Sequence, residues 1–187
     1  MFQFLSELDK NALLAINGFH FSWLDQVMIF WSEKLVWLPF YALLLFQIFR
    51  KYGVKGGILF SIGIALGIIL SDQVASALLK PLVQRPRPCH EPEIQALLYL
   101  AKGCGGQFGF ASSHASNSMF VAIFCTFLLK PKPIMKSIFV VWVLVMAWSR
   151  MYLGAHYPGD ILAGWFIGGF WALLVYHLFL KIKTSLD

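Results

Sequence analysis

The chain has 187 residues, 59% of them hydrophobic and only 13% charged, with a formal net charge of +6. That apolar share exceeds what a soluble core of this size buries, so the natural solvent is the bilayer. The basic residues stand in short clusters between apolar runs, not on a stripe interleaved with aromatics, which argues against a nucleic-acid partner.

Residues 1–33 mix Phe, Leu, Ile and Trp with Asp9, Lys10, Asn11, Asn17, His20, Asp25 and Glu33. Such a mixture suits amphipathic helices lying at the membrane interface better than a clean crossing. No basic stretch precedes the first apolar residues and no A-x-A-like site follows, so a signal peptide is not expected. A spanning helix needs about 20 mostly apolar residues. Segments 56–79, 111–129, 134–153 and 158–180 meet that need, and 35–50 reads as the clear part of an earlier span. The expected fold is an all-α integral membrane bundle of about five to six transmembrane helices, five being favoured, with N-terminal interfacial helices. No linker or low-complexity tract divides it, so 1–187 reads as one domain, with a catalytic core at 56–180. Gly63-x3-Gly67 and Gly164-x3-Gly168 offer small-residue faces for close helix approach within the bundle.

Loop charge sets the orientation. Arg50, Lys51 and Lys55, then Lys130, Lys132 and Lys136, then Lys181 and Lys183 mark the cytoplasmic ends. The connections at 80–110 and 150–157 therefore face outward, although they carry Lys80, Arg85, Arg87, Lys102 and Arg150. Cations that oppose the topology rule need another reason to be there. Cys89 and Cys104 share the outward loop and can form a disulfide in an oxidising compartment, the alternative being two free or buried thiols. Cys125 lies inside a span and reads as an inert buried thiol.

Three polar clusters fall on this outer side: KPLVQRPRP from Lys80 to Pro88, SSH from Ser112 to His114, and SRMYLGAHYPGD from Ser149 to Asp160. His156 and Asp160 are one helical turn apart, with Pro158 at a helix start between them. Asp160 can accept a hydrogen bond from one ring nitrogen and leave the other as an oriented nucleophile; the plainer reading is a histidine at a helix start capped by an aspartate. Serines before an apolar helix are ordinary N-caps. The same helix start offers free N–H groups to phosphate oxygens, with His114 placed to protonate a leaving alkoxide. Lys80, Arg87 and Arg150 suit either snorkelling or phosphate binding. Proline bracing of Arg87 and the planar guanidinium favour the latter, with Arg85 ranked second. Asp72, costly in lipid, reads as structural and paired with a helix polar group. His20, His90 and His177 have no partners at useful spacing.

Taken jointly, the clusters resemble the signature of the type 2 phosphatidic acid phosphatase (PAP2) family, K-x6-R-P, P-S-G-H and S-R-x5-H-x3-D. Lys80, Arg87 and Pro88 match the first part. Ala111, Ser112, Ser113 and His114 correspond to the second, and Ser149, Arg150, His156 and Asp160 to the third. The resemblance implies a phosphohistidine mechanism. His156 would attack phosphorus, Asp160 would orient it, and His114 would protonate the leaving group. Lys80, Arg87, Arg150 and the backbone of Ser112 and Ser113 would hold the phosphoryl oxygens. No cofactor is implied, and no Asp/Glu cluster suits magnesium. Ala111 and Ser113 depart from the motif's proline and glycine, which implies an altered, less rigid loop. The expected partners are membrane lipids and a lipid phosphate or pyrophosphate, with no obligatory protein partner. The expected setting is a bacterial inner membrane with the site on the periplasmic or outer face. Undecaprenyl pyrophosphate is the first substrate expectation, ahead of phosphatidylglycerol phosphate, phosphatidic acid and lipid A. A lipid phosphotransferase and a small transporter are the rival classes, and the gathering of polar groups on one side opposes the transporter.

Overall fold

The computed structural model describes residues 2–186, whose regular structure is helical apart from one antiparallel bridge between Pro86 and Phe108. Two helices, α1 (Phe2–Asn17) and α2 (Ser22–Ser32), precede α3 (Leu38–Gln73). The bounds of α3 run across a break at Gly53, where φ is 68° and ψ −173°. Only glycine takes that backbone without steric cost. Beyond it the chain doubles back, bringing the rings of Tyr52 and Phe60 to 4.7 Å. The expected spans 35–50 and 56–79 are thus the two arms of a hairpin. A π-helical turn, Val74–Leu79, leads into the short α4 (Lys80–Val83), which Gln84 closes in the left-handed region. After an irregular stretch come α5 (Ser113–Leu129), α6 (Pro133–Tyr152) and α7 (Pro158–Leu186). The arms of α3 together with α5, α6 and α7 are five apolar helical segments.

Helix α5 is the hub, burying Phe120, Val121, Phe124, Cys125 and Leu128. The glycine pairs pack closely here: Gly63 meets the ring of Phe179 on α7 and that of Phe124, Gly67 meets the ring of Phe120, and Gly164 and Gly168 lie on the backbone of Ser112 and Ser116. In lipid, helices gain little from hydrophobicity against one another, so close approach through small residues supplies the packing. The outward faces carry exposed Ile62, Val140, Leu144, Phe166 and Phe170. Such a surface is unfavourable in water and satisfied in a bilayer.

The ends of the bundle differ. At one end Lys51 Nζ donates to the carbonyls of Leu128 and Leu129 at 3.0 and 2.8 Å, closing the C-terminus of α5 with positive charge. At the other end α1 and α2 pack on α6 and α7 with their polar faces inward. Asn17 bonds the backbone of Tyr99 and Tyr152, and the buried Asp25 accepts from both tyrosine hydroxyls. Lys10 pairs with Glu93 and Glu33 with Lys102. The apolar residues Phe4, Leu8, Trp23 and Phe30 are left facing out. The expected amphipathic character is found, and the polar side is consumed by the protein itself.

Candidate active site

The irregular stretch at 84–112 is held against the bundle by backbone bonds. Arg87 N donates to Gln107 O and Gly109 N to Arg85 O, both at 2.9 Å, and Ser112 N donates to Asp160 O at 3.0 Å. Cys89 and Cys104 are joined in a disulfide across this stretch. The loop expected to be slack after the Ala111 and Ser113 departures is therefore braced by neighbours outside the motif. Gly109 is needed for close approach, since a Cβ there would lie 3.0 Å from Asp160 Oδ2 and 3.4 Å from Arg87 Cγ.

His156 sits in the turn between α6 and α7, 2% exposed, with Asp160 fully buried in the first turn of α7. Nδ1 of His156 lies 3.4 Å from Asp160 Oδ2 without forming a hydrogen bond, and no other residue among those described satisfies it. The expected His156–Asp160 hydrogen bond is thus replaced by a looser contact. The reason is competition: Oδ2 accepts from Tyr157 N at 3.1 Å, while Oδ1 accepts from Arg85 Nη1 at 3.0 Å. Arg85 extends the chain, donating through Nη2 to Asp9 at 2.6 Å and lying over the Tyr157 ring at 4.0 Å. Asp9 in turn accepts from Gly159 N at 2.7 Å. The carboxylate beside His156 is therefore held by an arginine and, through it, by helix α1.

Arg85, ranked second as a phosphate ligand, is instead the partner of Asp160, and Asp9 was not singled out for the site at all, because the partners of both lie more than 70 positions away in the chain. Oddness of charge was the available signal for Arg85, a second cation beside Arg87 on the outward side.

Burial is the main influence on His156 and pulls its pKa well below the ordinary value, helped by the positive charges of Arg150, Arg87 and Lys80. The ring is neutral at neutral pH, as a nucleophile requires. Lys80, Arg87 and Arg150 have no carboxylate within ion-pair distance among the described residues, whereas Lys10, Arg85 and Lys102 do. Among the described residues Arg87 Nη1 reaches the carbonyl of Ala155 at 3.3 Å, and the Nε atoms of Arg87 and Arg150 are buried without a partner. Asp72, Asp160 and Glu33 act on these cations only from beyond ion-pair distance, and burying cations without a close counter-charge is costly unless an anion completes the site. These three are the cations of the cluster that no carboxylate engages closely among the described residues.

At the start of α5, Ser112 is the N-cap, its Oγ accepting from Ala115 N at 3.5 Å. Since Ser112 N is committed to Asp160 O, its backbone does not serve as an anion donor, which corrects the expectation for that residue. Among the described residues, the N–H groups of Ser113 and His114 remain open in this turn. The Ser113 hydroxyl is shared with Ser76 at 2.6 Å. His114 lies within electrostatic reach of Arg150 and His156, on the wall of a cavity of about 340 Å³. Asp72, expected to pair with a helix polar group, accepts from Asn117 Nδ2 at 3.4 Å and lines the same cavity. His20 stacks on Tyr99 with ring centroids 3.8 Å apart, and His90 meets Gly105 O and Cys104 Sγ. Both stand outside this constellation.

Comparison with known proteins matches residues 56–183 to the model of the PAP2 superfamily. The chain is 40% identical over 190 residues to a lipid A 4'-phosphatase of Bacteroides thetaiotaomicron, covering 100% of this chain and 84% of the relative. It is 31% identical over 171 residues to an undecaprenyl-diphosphatase of Sulfolobus acidocaldarius, covering 89% and 72% of the two chains. Among solved structures, the fold is similar to that of a transmembrane PAP2 type phosphatidylglycerolphosphate phosphatase from Bacillus subtilis. The TM-score is 0.67 at 22% identity, with 98% of this chain and 88% of the other covered.

Proposed function

The chain belongs to the PAP2 superfamily and is a membrane lipid phosphatase of that type; from that premise we propose that it removes a phosphate from a phosphorylated glycolipid of the lipid A kind. The observation that carries the chemistry is the buried, neutral His156, with Asp160 at Nδ1 and three cations without carboxylate partners around it. Similarity along the whole chain to a lipid A 4'-phosphatase supports the substrate class, and outweighs the more distant match to an undecaprenyl-diphosphatase, the activity of the first substrate expectation.

In this reading Nδ1–H of His156 points to Asp160, and Nε2 attacks phosphorus. The P–O bond to the sugar breaks as His114 gives its proton to the leaving oxygen. Lys80, Arg87, Arg150 and the N–H groups of Ser113 and His114 balance the charge spread over the three equatorial oxygens. Water then attacks the phosphohistidine, losing its proton to His114. Inorganic phosphate departs and both histidines return to their starting forms. In the same reading the site faces away from the cytoplasm, which the lysine and arginine placement supports. After removal of native cysteines, a cysteine at position 95 should react with an impermeant reagent in intact cells, and cysteines at 53 or 133 should not. The reverse pattern overturns the orientation.

The substrate test is a panel of lipid A, undecaprenyl pyrophosphate, phosphatidylglycerol phosphate and phosphatidic acid offered to purified protein. Lipid A should give the highest kcat/KM. Faster cleavage of undecaprenyl pyrophosphate would return the assignment to carrier recycling.

A further inference from the structure

The mechanism uses one face of His114 and leaves unexplained the cavity that the same residue lines. Its wall combines Asp72, Gln73 and Asn117 near the helix start with the aromatic rings of Trp37, Tyr41 and Trp142. Ile68, Ile69 and Met146 complete an apolar part. At about 340 Å³ it falls within the size range of small-molecule sites, and it has their make-up, mostly apolar with a few placed polar groups.

Two of its residues carry polar atoms that the protein leaves unpaired. Asn117 Oδ1 and Trp142 Nε1 are buried with no partner among the described residues. An acceptor and a donor left in that condition destabilise the fold unless a ligand satisfies them. Asp72 adds a carboxylate whose one hydrogen bond is the long contact with Asn117. If His114 protonates the leaving oxygen, the group attached to that oxygen must lie on the side of His114, where this cavity is.

We propose that this cavity is the leaving-group subsite and that it takes an acylated sugar: Asp72, Asn117 and Trp142 hydrogen-bond its hydroxyl and amide groups, and Ile68, Ile69 and Met146 meet its first acyl chain. The proposal rests on the glycolipid reading above and adds the residues that select it. Hydroxyl and amide groups suit a carboxylate, an amide and an indole N–H beside aromatic rings. A prenyl diphosphate would leave as an anionic monophosphate, and Asp72 would repel it; Glu33, on the same wall, is already paired with Lys102. Lys34 on the same wall offsets part of that repulsion, so the contribution of Asp72 is read by altering Asp72 alone.

The experiment compares the parent protein with Asp72→Asn, Asn117→Leu and Trp142→Phe, purified full-length in detergent. Each is given three substrates: lipid A, a prenyl diphosphate and p-nitrophenyl phosphate. Each variant should lower kcat/KM for lipid A about tenfold more than for p-nitrophenyl phosphate, because the small ester makes few contacts in the subsite. Asp72→Asn should in addition raise the efficiency on the prenyl diphosphate relative to lipid A, also about tenfold. Losses equal on all three substrates, in variants whose melting temperatures match the parent, overturn the subsite. Should Asp72→Asn fail to fold, Asn117→Leu and Trp142→Phe decide the matter by the same ratio. A parent that prefers the prenyl diphosphate overturns the glycolipid reading instead, so the two failures are told apart before any variant is made.

Discussion

His156 and His114 share Arg150 as a charged neighbour, yet the protein around them is built differently. Around His156 the polar groups are tied to one another. Asp160 is held by Arg85 and Tyr157 N, Arg85 by Asp9, and Asp9 by Gly159 N, with exposure at or near zero for His156 and Asp160. Around His114 the wall opens onto a cavity where Asn117 and Trp142 keep unpaired polar atoms. A phosphoryl group is the same in every substrate, so its side of the site gains from rigidity. The leaving group is what differs between lipids, and that side is shaped to read it.

Replacing the two histidines tests this contrast most severely. His156→Ala should lose at least about 10³-fold in kcat on every substrate, because the nucleophile is absent, and rapid quenching of the parent should trap an acid-labile phosphohistidine there. His114→Ala should lose about 10²- to 10⁴-fold on a lipid phosphate but far less on p-nitrophenyl phosphate, whose leaving group needs no proton. Equal losses on both esters would remove His114 from the acid role.

The tied side makes a second, smaller prediction. Arg85→Met leaves the Asp160 carboxylate buried without its cation, and removing one partner of a buried pair costs about 3–5 kcal/mol. Melting temperature should fall, and kcat should fall about tenfold or more with KM nearly unchanged, since Arg85 acts through Asp160 and not on the substrate. Arg85→Lys should recover part of the rate. A change in KM alone would mean that Arg85 binds substrate directly. Asp9→Asn should give a weaker form of the same effect, which would tie helix α1 to catalysis.

The smallest expected effect is in the pH profile. Burial and three cations favour neutral His156, so its acid limb in kcat/KM should lie below the ordinary histidine value of 6.5. Arg87→Gln removes one of those cations, makes protonation easier and should move the limb to higher pH. Measurement over pH 4–8, with the substrate's own ionisation subtracted, checks the direction; a limb that moves down contradicts the electrostatics.

Much of this molecule was legible in its sequence, for reasons that are local. Apolar length marks a span whatever surrounds it, and the five segments expected are found, because a bilayer demands runs of that length. His156 and Asp160 are four positions apart across the start of α7 at Pro158, so chain geometry keeps them near each other, 3.4 Å apart though without the expected hydrogen bond. The glycine pairs announced close packing because only a small side chain permits it. Other features depended on residues far apart in the chain. Gly53 as a hairpin and the inward polar face of α1 and α2 appear only when distant elements meet. So do the Arg85–Asp9 support of Asp160 and the commitment of Ser112 N to Asp160 O. The cavity on the His114 side belongs to this second group. It is a space between helices, and the unpaired atoms of Asn117 and Trp142 have meaning only once every possible partner has been placed. Sequence by itself determined which groups are the candidates for chemistry, since that follows from residue type and short spacing; tertiary structure decided which of them are held and which are left open, since hydrogen bonding and burial are set by neighbours.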